Sequence, residues 1–501
     1  MKKSLCLILA MLMLLATLVA CATPSDTDDP ADTTTPAPDA SATTTPAADA
    51  GDAGNTPADE TTPVVEMPVI DKKFDSEVVI LFWEDVEEPE FEVAEQTGDS
   101  VGDAIFYRNA AVEDQIGVEL VFVGTPGNFN NQKNFVSTAL NGINSGGEHD
   151  IFAGYSMIGA TLAVNGYAQN LKNLEYLNFD QPYWPESLIG QATINDKLFF
   201  ASGDISTNML HMMYATFFNK QIIIDNALDD PYKLVDDGKW TYSKMFEMAS
   251  NLYSDLNGDG QRGQEDAYGL CTASIHYDSF FTAAGLNTVE KDSNDQLIIS
   301  PSFNSERTIT LLEDVCTFMW DGQDGYHGAT GAVFEKGYTL FTVDRSYMAM
   351  RRRENITFEY GIVPVPKFDD AQENYVTCLG FPYTMYAISI AAKHTEAAAA
   401  TLECLCAEGF KQVTPALFEI SMKLKYSSDN EASRMYDIIR EGVSIDIGRI
   451  FCTELQNFTY STFRNACTNN TANAWSSAYK MTDRKMKTLL EGINSSIAAL
   501  G

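Results

Sequence analysis

From about residue 75 onward, the spacing of apolar positions switches repeatedly between the strand period and the helix period. Val78 to Trp83 (VVILFW) is an unbroken apolar run that stops at Glu84-Asp85, the pattern of a buried strand opening into a polar loop. A helix should follow, because Val101, Ile105, Val112 and Ile116 share one helical face. Ser100 with Asp103 three residues on resembles a capping box, and Gly117 suits the terminus. Val118 to Val123 returns to strand. Phe135, Val136, Ala139, Leu140 and Ile143 define a second amphipathic helix that stops at Gly146-Gly147, and Asp150 to Gly154 forms the next strand. Strand, helix, strand, helix, strand requires right-handed crossovers and a largely parallel sheet, with ligands beyond its carboxyl edge. Trp83, Glu84, Tyr155 and Ser156 fall at that edge. Further helices are expected at 242–254, 304–320, 394–408, 430–441 and 473–499.

The amino terminus follows neither period. Lys2 and Lys3 precede an apolar run from Leu5 to Ala20, the charged start and apolar middle of a secretory signal. Leu18-Val19-Ala20-Cys21 resembles the bacterial lipobox, so residues 1–20 are expected to be removed and Cys21 lipidated. Several acyl chains there would hold the chain to the outer face of the cytoplasmic membrane. Residues 21–65 are Ala, Thr, Pro and Asp and little else, with no Lys or Arg between Lys3 and Lys72. They bury too little apolar surface to offset their ordering entropy and read as a tether.

The roughly 435 residues that remain exceed the usual size of one core. Net charge is −37, with 70 Asp and Glu against 33 Lys and Arg, which excludes nucleic acid as a partner. Apart from Cys6 and Cys21, seven cysteines remain. An odd number leaves at least one thiol unpaired within the chain, and no paired CxxC pattern is present, so mostly buried thiols are expected.

One motif carries ion chemistry. Asp255 to Asp266 (DLNGDGQRGQED) fits the spacing of a calcium loop: side chains from Asp255, Asn257, Asp259 and Asp266, the carbonyl of Gln261, and Gly260 for the sharp turn. Asp266 is shorter than the usual bidentate Glu, so water or Glu265 would complete the shell. The same residue types also make turns without metal. Calcium, if bound, would be structural. The histidines at 149, 211, 276, 327 and 394 are scattered, and GxSxG, P-loop and GxGxxG-helix patterns are absent. Acidic pairs such as Glu84 and Asp85 could serve a glycosidase, but 70 acids produce such pairs by chance.

Several stretches together resemble a family, the family 1 (sugar-binding) extracellular solute-binding proteins of bacterial ABC importers. They are Asp150–Tyr155 followed by Asn165–Leu171, then Phe217–Lys220, Gly238–Tyr242, Phe334–Gly337 and Tyr360–Lys367, in the family's order. The resemblance implies an α/β, two-lobed periplasmic-binding-protein-like (type II) fold that closes on a solute held between its lobes. The lobes would comprise residues 66–213 plus 386–430, and 214–383 plus 435–501. Hinge crossings would lie near 212–217, 378–388 and 430–436. The tail after residue 440 departs from the family pattern.

The implied function is capture of a mono- or oligosaccharide by a monomeric lipoprotein and its delivery to permease subunits, without catalysis. The alternatives are a secreted carbohydrate-active hydrolase, or a surface adhesin or sensor with the same fold. A sugar site pairs aromatic platforms with charged and amide side chains. The candidates are Trp83, Glu84, Tyr155, Ser156 and Asp204 on one lobe, and His276, Tyr277, Asp278 and Arg345 on the other, with Phe381 and Tyr383 near the second hinge. Trp184 and Trp240 read as packing residues.

Overall fold

The computed structural model describes residues 67–500 other than 329, 353 and 426–429. The signal segment, Cys21 and the tether lie outside the described residues. Eleven strands are described: β1 (Ser76–Trp83), β2 (Val118–Thr125), β3 (Ile151–Tyr155), β4 (Tyr214–Asn219), β5 (Tyr268–Thr272), β6 (Val289–Lys291), β7 (Leu297–Ile299), β8 (Gly325–His327), β9 (Thr339–Arg345), β10 (Tyr360–Pro364) and β11 (Thr384–Ile388).

They form two principal sheets and a small β6–β7 hairpin. The first sheet runs β11-β3-β1-β2, with β1 parallel to both β2 and β3 and β11 antiparallel to β3. Parallel pairing needs the crossovers that the periodicity predicts, and the helices Ser100–Ile116 and Gln132–Asn144 supply them. The second sheet runs β10-β4-β9-β5-β8, antiparallel on the β10-β4-β9 side and parallel across β9-β5-β8. Residues 62–501 cluster as one compact unit.

Two details of the pattern shift. The first helix is capped by Asp99, not Ser100: the Asp99 carboxylate accepts the Gly102 amide at 2.8 Å. Asp103 turns back to accept the amides of Thr97 and Gly98. The helix expected over 242–254 ends at Ala249. Asn251 takes a left-handed φ of 63°, and the Asp324 carboxylate accepts the amides of Asn251, Leu252 and Tyr253 at 3.0, 2.8 and 2.9 Å. That distant acid gives the backbone a partner that helix continuation would otherwise provide. Gly147 has φ 77°, and a Cβ there would sit 2.0 Å from the Ala391 carbonyl oxygen, so the turn into β3 requires glycine.

The chain passes between the sheets along a short ladder. Ala201 bridges Tyr386, Met213 bridges Leu379, and Thr377 bridges Val443. The Gly380 amide donates to the Met212 carbonyl at 2.7 Å and the Tyr214 amide to the Cys378 carbonyl at 3.0 Å. The carboxyl-terminal segment then packs mainly on the second sheet's side. Asn430–Glu441 lies on β10, and Phe458–Thr468 lies on Tyr277–Ala283 and Glu306–Cys316. Trp475–Ala499 covers β7 but also touches the helix Ile158–Val164 of the first sheet's layer. Seven cysteines, Cys271, Cys316, Cys378, Cys404, Cys406, Cys452 and Cys467, are buried free thiols.

Candidate functional site

β1 and β3 are adjacent and parallel, so their last residues, Trp83 and Tyr155, come side by side at the carboxyl edge. Their rings meet edge to face at 5.3 Å. Trp83 is only 1 % exposed and donates from Nε1 to Thr384 Oγ1 at 2.8 Å. It braces Tyr155 from behind and presents no surface to a solute. Ser156 is likewise buried, its hydroxyl donating to the Phe381 carbonyl at 2.6 Å. This bond ties the end of β3 to the segment returning toward β11.

The second sheet delivers its groups to the same region. Asp278, at the start of the helix Tyr277–Ala283 that follows β5, receives two guanidiniums. Arg449 reaches it at 2.7 Å, and Arg464 donates through Nε at 2.9 Å and through Nη2 at 2.5 Å. Burial alone would raise the Asp278 carboxyl; the two arginines outweigh it and hold the group below its ordinary value. Arg449 lies over the Phe381 ring at 4.1 Å and Arg464 over the Tyr460 ring at 4.2 Å, and Phe381 and Tyr460 meet at 5.5 Å. Each cation is thus held between a carboxylate and a ring face.

Tyr155 is pushed well up by burial while Arg345 and Arg449 pull it back, which places its hydroxyl in the field of both. Tyr383 is buried beside Arg449. Arg345 ends β9 with Tyr214 and Asp344 next to it. His276 is held low by burial, with Asp344 3.6 Å away and Tyr214 edge-on at 5.6 Å.

Of the predicted residues, Tyr155, Ser156, His276, Asp278, Arg345, Phe381 and Tyr383 come together. Three others do not. Glu84 is exposed over Gly124 of β2, Tyr277 stacks inside the second lobe on His327 at 5.6 Å, and Asp204 lies behind the crossing ladder against Thr414 and Arg440. Sequence reasoning missed Tyr214, Tyr347, Arg449, Tyr460 and Arg464. The available signal was an aromatic residue and an arginine four apart, Tyr460 and Arg464, on one helical face of a strongly acidic chain.

The two sheets' loops also touch at the edge of the cluster. Tyr347 Oη donates to Glu87 Oε2 at 3.2 Å, Arg351 donates to the Glu87 carbonyl at 3.0 Å, and Arg351 pairs with Glu88 at 2.5 Å. Asp344, Arg345, Tyr347 and Arg351 line an open hollow here. A larger hollow around Asp229, Lys233, Lys244 and Glu247 is a charged surface of the second lobe with Lys244 already paired to Asp229 and Glu247.

No family model matches the chain, and no curated protein does. Solved structures do. A cyclo/maltodextrin-binding protein complexed with maltotetraose aligns at TM-score 0.52 and 12 % identity, over 85 % of this chain and 98 % of its own. The maltose/maltodextrin-binding domain MalE from Bdellovibrio bacteriovorus, bound to maltotriose, aligns at 0.51 and 12 % over 83 % and 100 %. An ABC transporter solute-binding protein from Thermotoga lettingae, bound with α-D-tagatose, aligns at 0.52 and 13 % over 83 % and 100 %. This chain has the periplasmic-binding-protein-like fold. The two sheets correspond to the two halves of that fold, the chain crosses between them along the ladder at 201–214 and 377–386, and the Tyr155–Arg345–Asp278 cluster lies beside that crossing.

Outside the interlobe region, the Asp255–Asp266 loop is ordered by its own amides. Asp255 accepts from Gly258 at 2.7 Å and Gly260 at 2.8 Å, Asn257 from Asp259 at 2.9 Å, and Asp259 from Gln261 at 2.7 Å. Asp266 accepts from Gly263 at 2.9 Å. Among the described residues no group of three or more His, Cys, Asp or Glu side chains converges as a metal-ligand set. Glu454, after the short helix Ile447–Ile450, reaches the first lobe, accepting a hydrogen bond from the Thr161 hydroxyl while its Oε2 is buried without a partner. Burial pushes its carboxyl up to about 7.

Removing the charge at Asp278 leaves two buried guanidiniums uncompensated. Asp278→Asn is expected to lower stability by about 3–5 kcal/mol, read from denaturant midpoints. At Glu454 the folded state binds the proton more tightly than the unfolded chain. Its contribution is therefore present at low pH and is lost as pH rises from about 4.5 through about 7. A Glu454→Gln variant should remove that pH dependence, up to about 3 kcal/mol, in melting curves recorded across this range.

Proposed function

We propose that the chain is the solute-binding component of an ABC importer, capturing a mono- or oligosaccharide between its lobes and passing it unchanged to permease subunits. The observation that carries this reading is the convergence of aromatic rings with Asp278 and three arginines at the carboxyl ends of both sheets. Sugars offer flat C–H faces to rings and hydroxyls to charged and polar groups, which is the chemistry gathered there. Solved structures of the same fold hold maltotetraose, maltotriose and tagatose. Hinge closure would be selected by a solute that touches both lobes at once.

In this reading the protein acts as a monomer outside the cell, held to the membrane by lipid on Cys21. Among the described residues no helix is long and apolar enough to cross a membrane. Calcium on the Asp255–Asp266 loop is part of the proposal as a structural ion. Its support is the D-x-N-x-D-G spacing, and binding would require the loop oxygens to add an ion to amide bonds already made.

The test is a thermal-shift screen of the chain from residue 67 onward against mono- and oligosaccharides. Capture predicts a concentration-dependent rise in Tm of mass-action form, with the sugar recovered intact. A sugar recovered cleaved would show a hydrolase, and no shift with any sugar would refute saccharide capture. A parallel calcium titration should raise Tm relative to chelator. Equal values would leave the loop as a self-satisfied turn.

A further inference from the structure

Arg345 has far more donor capacity than the protein uses. A guanidinium carries five N–H donors and no acceptor, and buried donors ordinarily find partners. At Arg345 the Nε–H is enclosed without a hydrogen-bond partner, and Nη1 reaches only the Met212 sulfur at 3.5 Å. Asp344 Oδ1 stands 3.8 Å from Nε, beyond hydrogen-bond length, and already accepts the Arg345 amide at 2.7 Å. The neighbouring arginines differ. Arg449 and Arg464 each donate to the Asp278 carboxylate, and Arg351 pairs with Glu88 and donates to the Glu87 carbonyl.

The placement of this underused group is built into the hinge. Arg345 lies against Gly380 of the crossing ladder, where a Cβ would come within 2.9 Å of Arg345 Cδ. Its guanidinium stands 5.6 Å from the Tyr347 ring and lines the open hollow with it. A carboxylate from the opposite lobe already approaches this place. Glu87, on the exposed loop after β1, accepts from Tyr347 and lies in the field of Arg345 without bonding to it. The hollow therefore attracts a carboxylate and is lined by an arginine whose donor capacity the protein leaves largely unused.

We propose that the captured solute is an acidic saccharide, and that Arg345 receives its carboxylate in a paired, fork-to-fork hydrogen bond. Two parallel N–H groups match the two oxygens of a carboxylate, whereas a sugar hydroxyl takes only one such bond. Tyr155 and Tyr347 then flank the sugar, and Glu87 gives up its place as the acidic group enters. This assignment rests on the solute-capture reading and specifies the chemical class of the solute.

The test uses the full chain and two probes of one linkage, galacturonic acid oligosaccharides and their carboxyl-reduced counterparts, in titration calorimetry. The acidic series should bind at least about 100-fold more tightly, with an affinity that falls as salt rises. Arg345→Gln should abolish that preference, and Arg345→Lys, which keeps the charge but not the fork, should retain only part of it. Ligand-free melting temperatures report whether each variant folds. Equal affinity for the two series, or a preference that survives in Arg345→Gln, overturns the acid assignment while leaving capture standing. Binding of neither series overturns the acid assignment, and the wider neutral-sugar screen then decides capture separately.

Discussion

Burying the Asp278 carboxylate on the helix after β5 would be costly alone, and the tertiary structure answers by bringing Arg449 and Arg464 to it from the carboxyl-terminal segment. Much of the interlobe region depends on that exchange. Arg449 holds Phe381 under its guanidinium, Phe381 offers its carbonyl to Ser156, and Ser156 fixes the end of β3 beside Tyr155. Arg464 does the same for Tyr460. One buried charge therefore sets the positions of aromatic rings that come from both lobes and from a segment more than 170 residues away in sequence.

The cations of this region divide into two kinds. Arg449 and Arg464 are committed to structure, since both pair with the buried Asp278 carboxylate and their removal would strand it. Arg345 is held in place by packing against Gly380 and Met212 but has few polar contacts. A binding site needs this division: some charges preorganise the scaffold, and others stay available until a solute completes them. The Glu87, Tyr347 and Arg351 contacts add a light bridge between the loops of the two sheets, and because these groups lie near solvent they contribute little to holding the sheets together.

Local pattern was legible wherever one sheet face or one helix face decided it. β1, β2 and β3 with their intervening helices follow from apolar runs and 3.6-residue spacing, and the parallel order follows from the need to connect them. The helix after Trp240 overran because its true end is set by Asp324, an acid about 75 residues away that no local pattern reveals. Tyr155, Ser156, Asp278 and Arg345 come together because each stands at a strand's carboxyl end or just beyond it, a placement that the strand pattern reveals. Trp83 shared that position, yet its side chain turned into the core to donate to Thr384. Tyr277 and Asp204 had suitable chemistry but face other neighbours.

The sequence by itself determined the α/β character, the parallel β3-β1-β2 part of the first sheet, the acidic composition and the strand-end residues, because each depends on periodicity or composition within a few tens of residues. Only the tertiary structure decided which guanidiniums meet Asp278, that the tail after residue 440 supplies Arg449, Tyr460 and Arg464, and that the Arg345 Nε–H is buried without a hydrogen-bond partner. Those outcomes depend on how distant charges share a low-dielectric interior. Pairing there is set by the packing of whole helices and leaves no periodic trace in the chain.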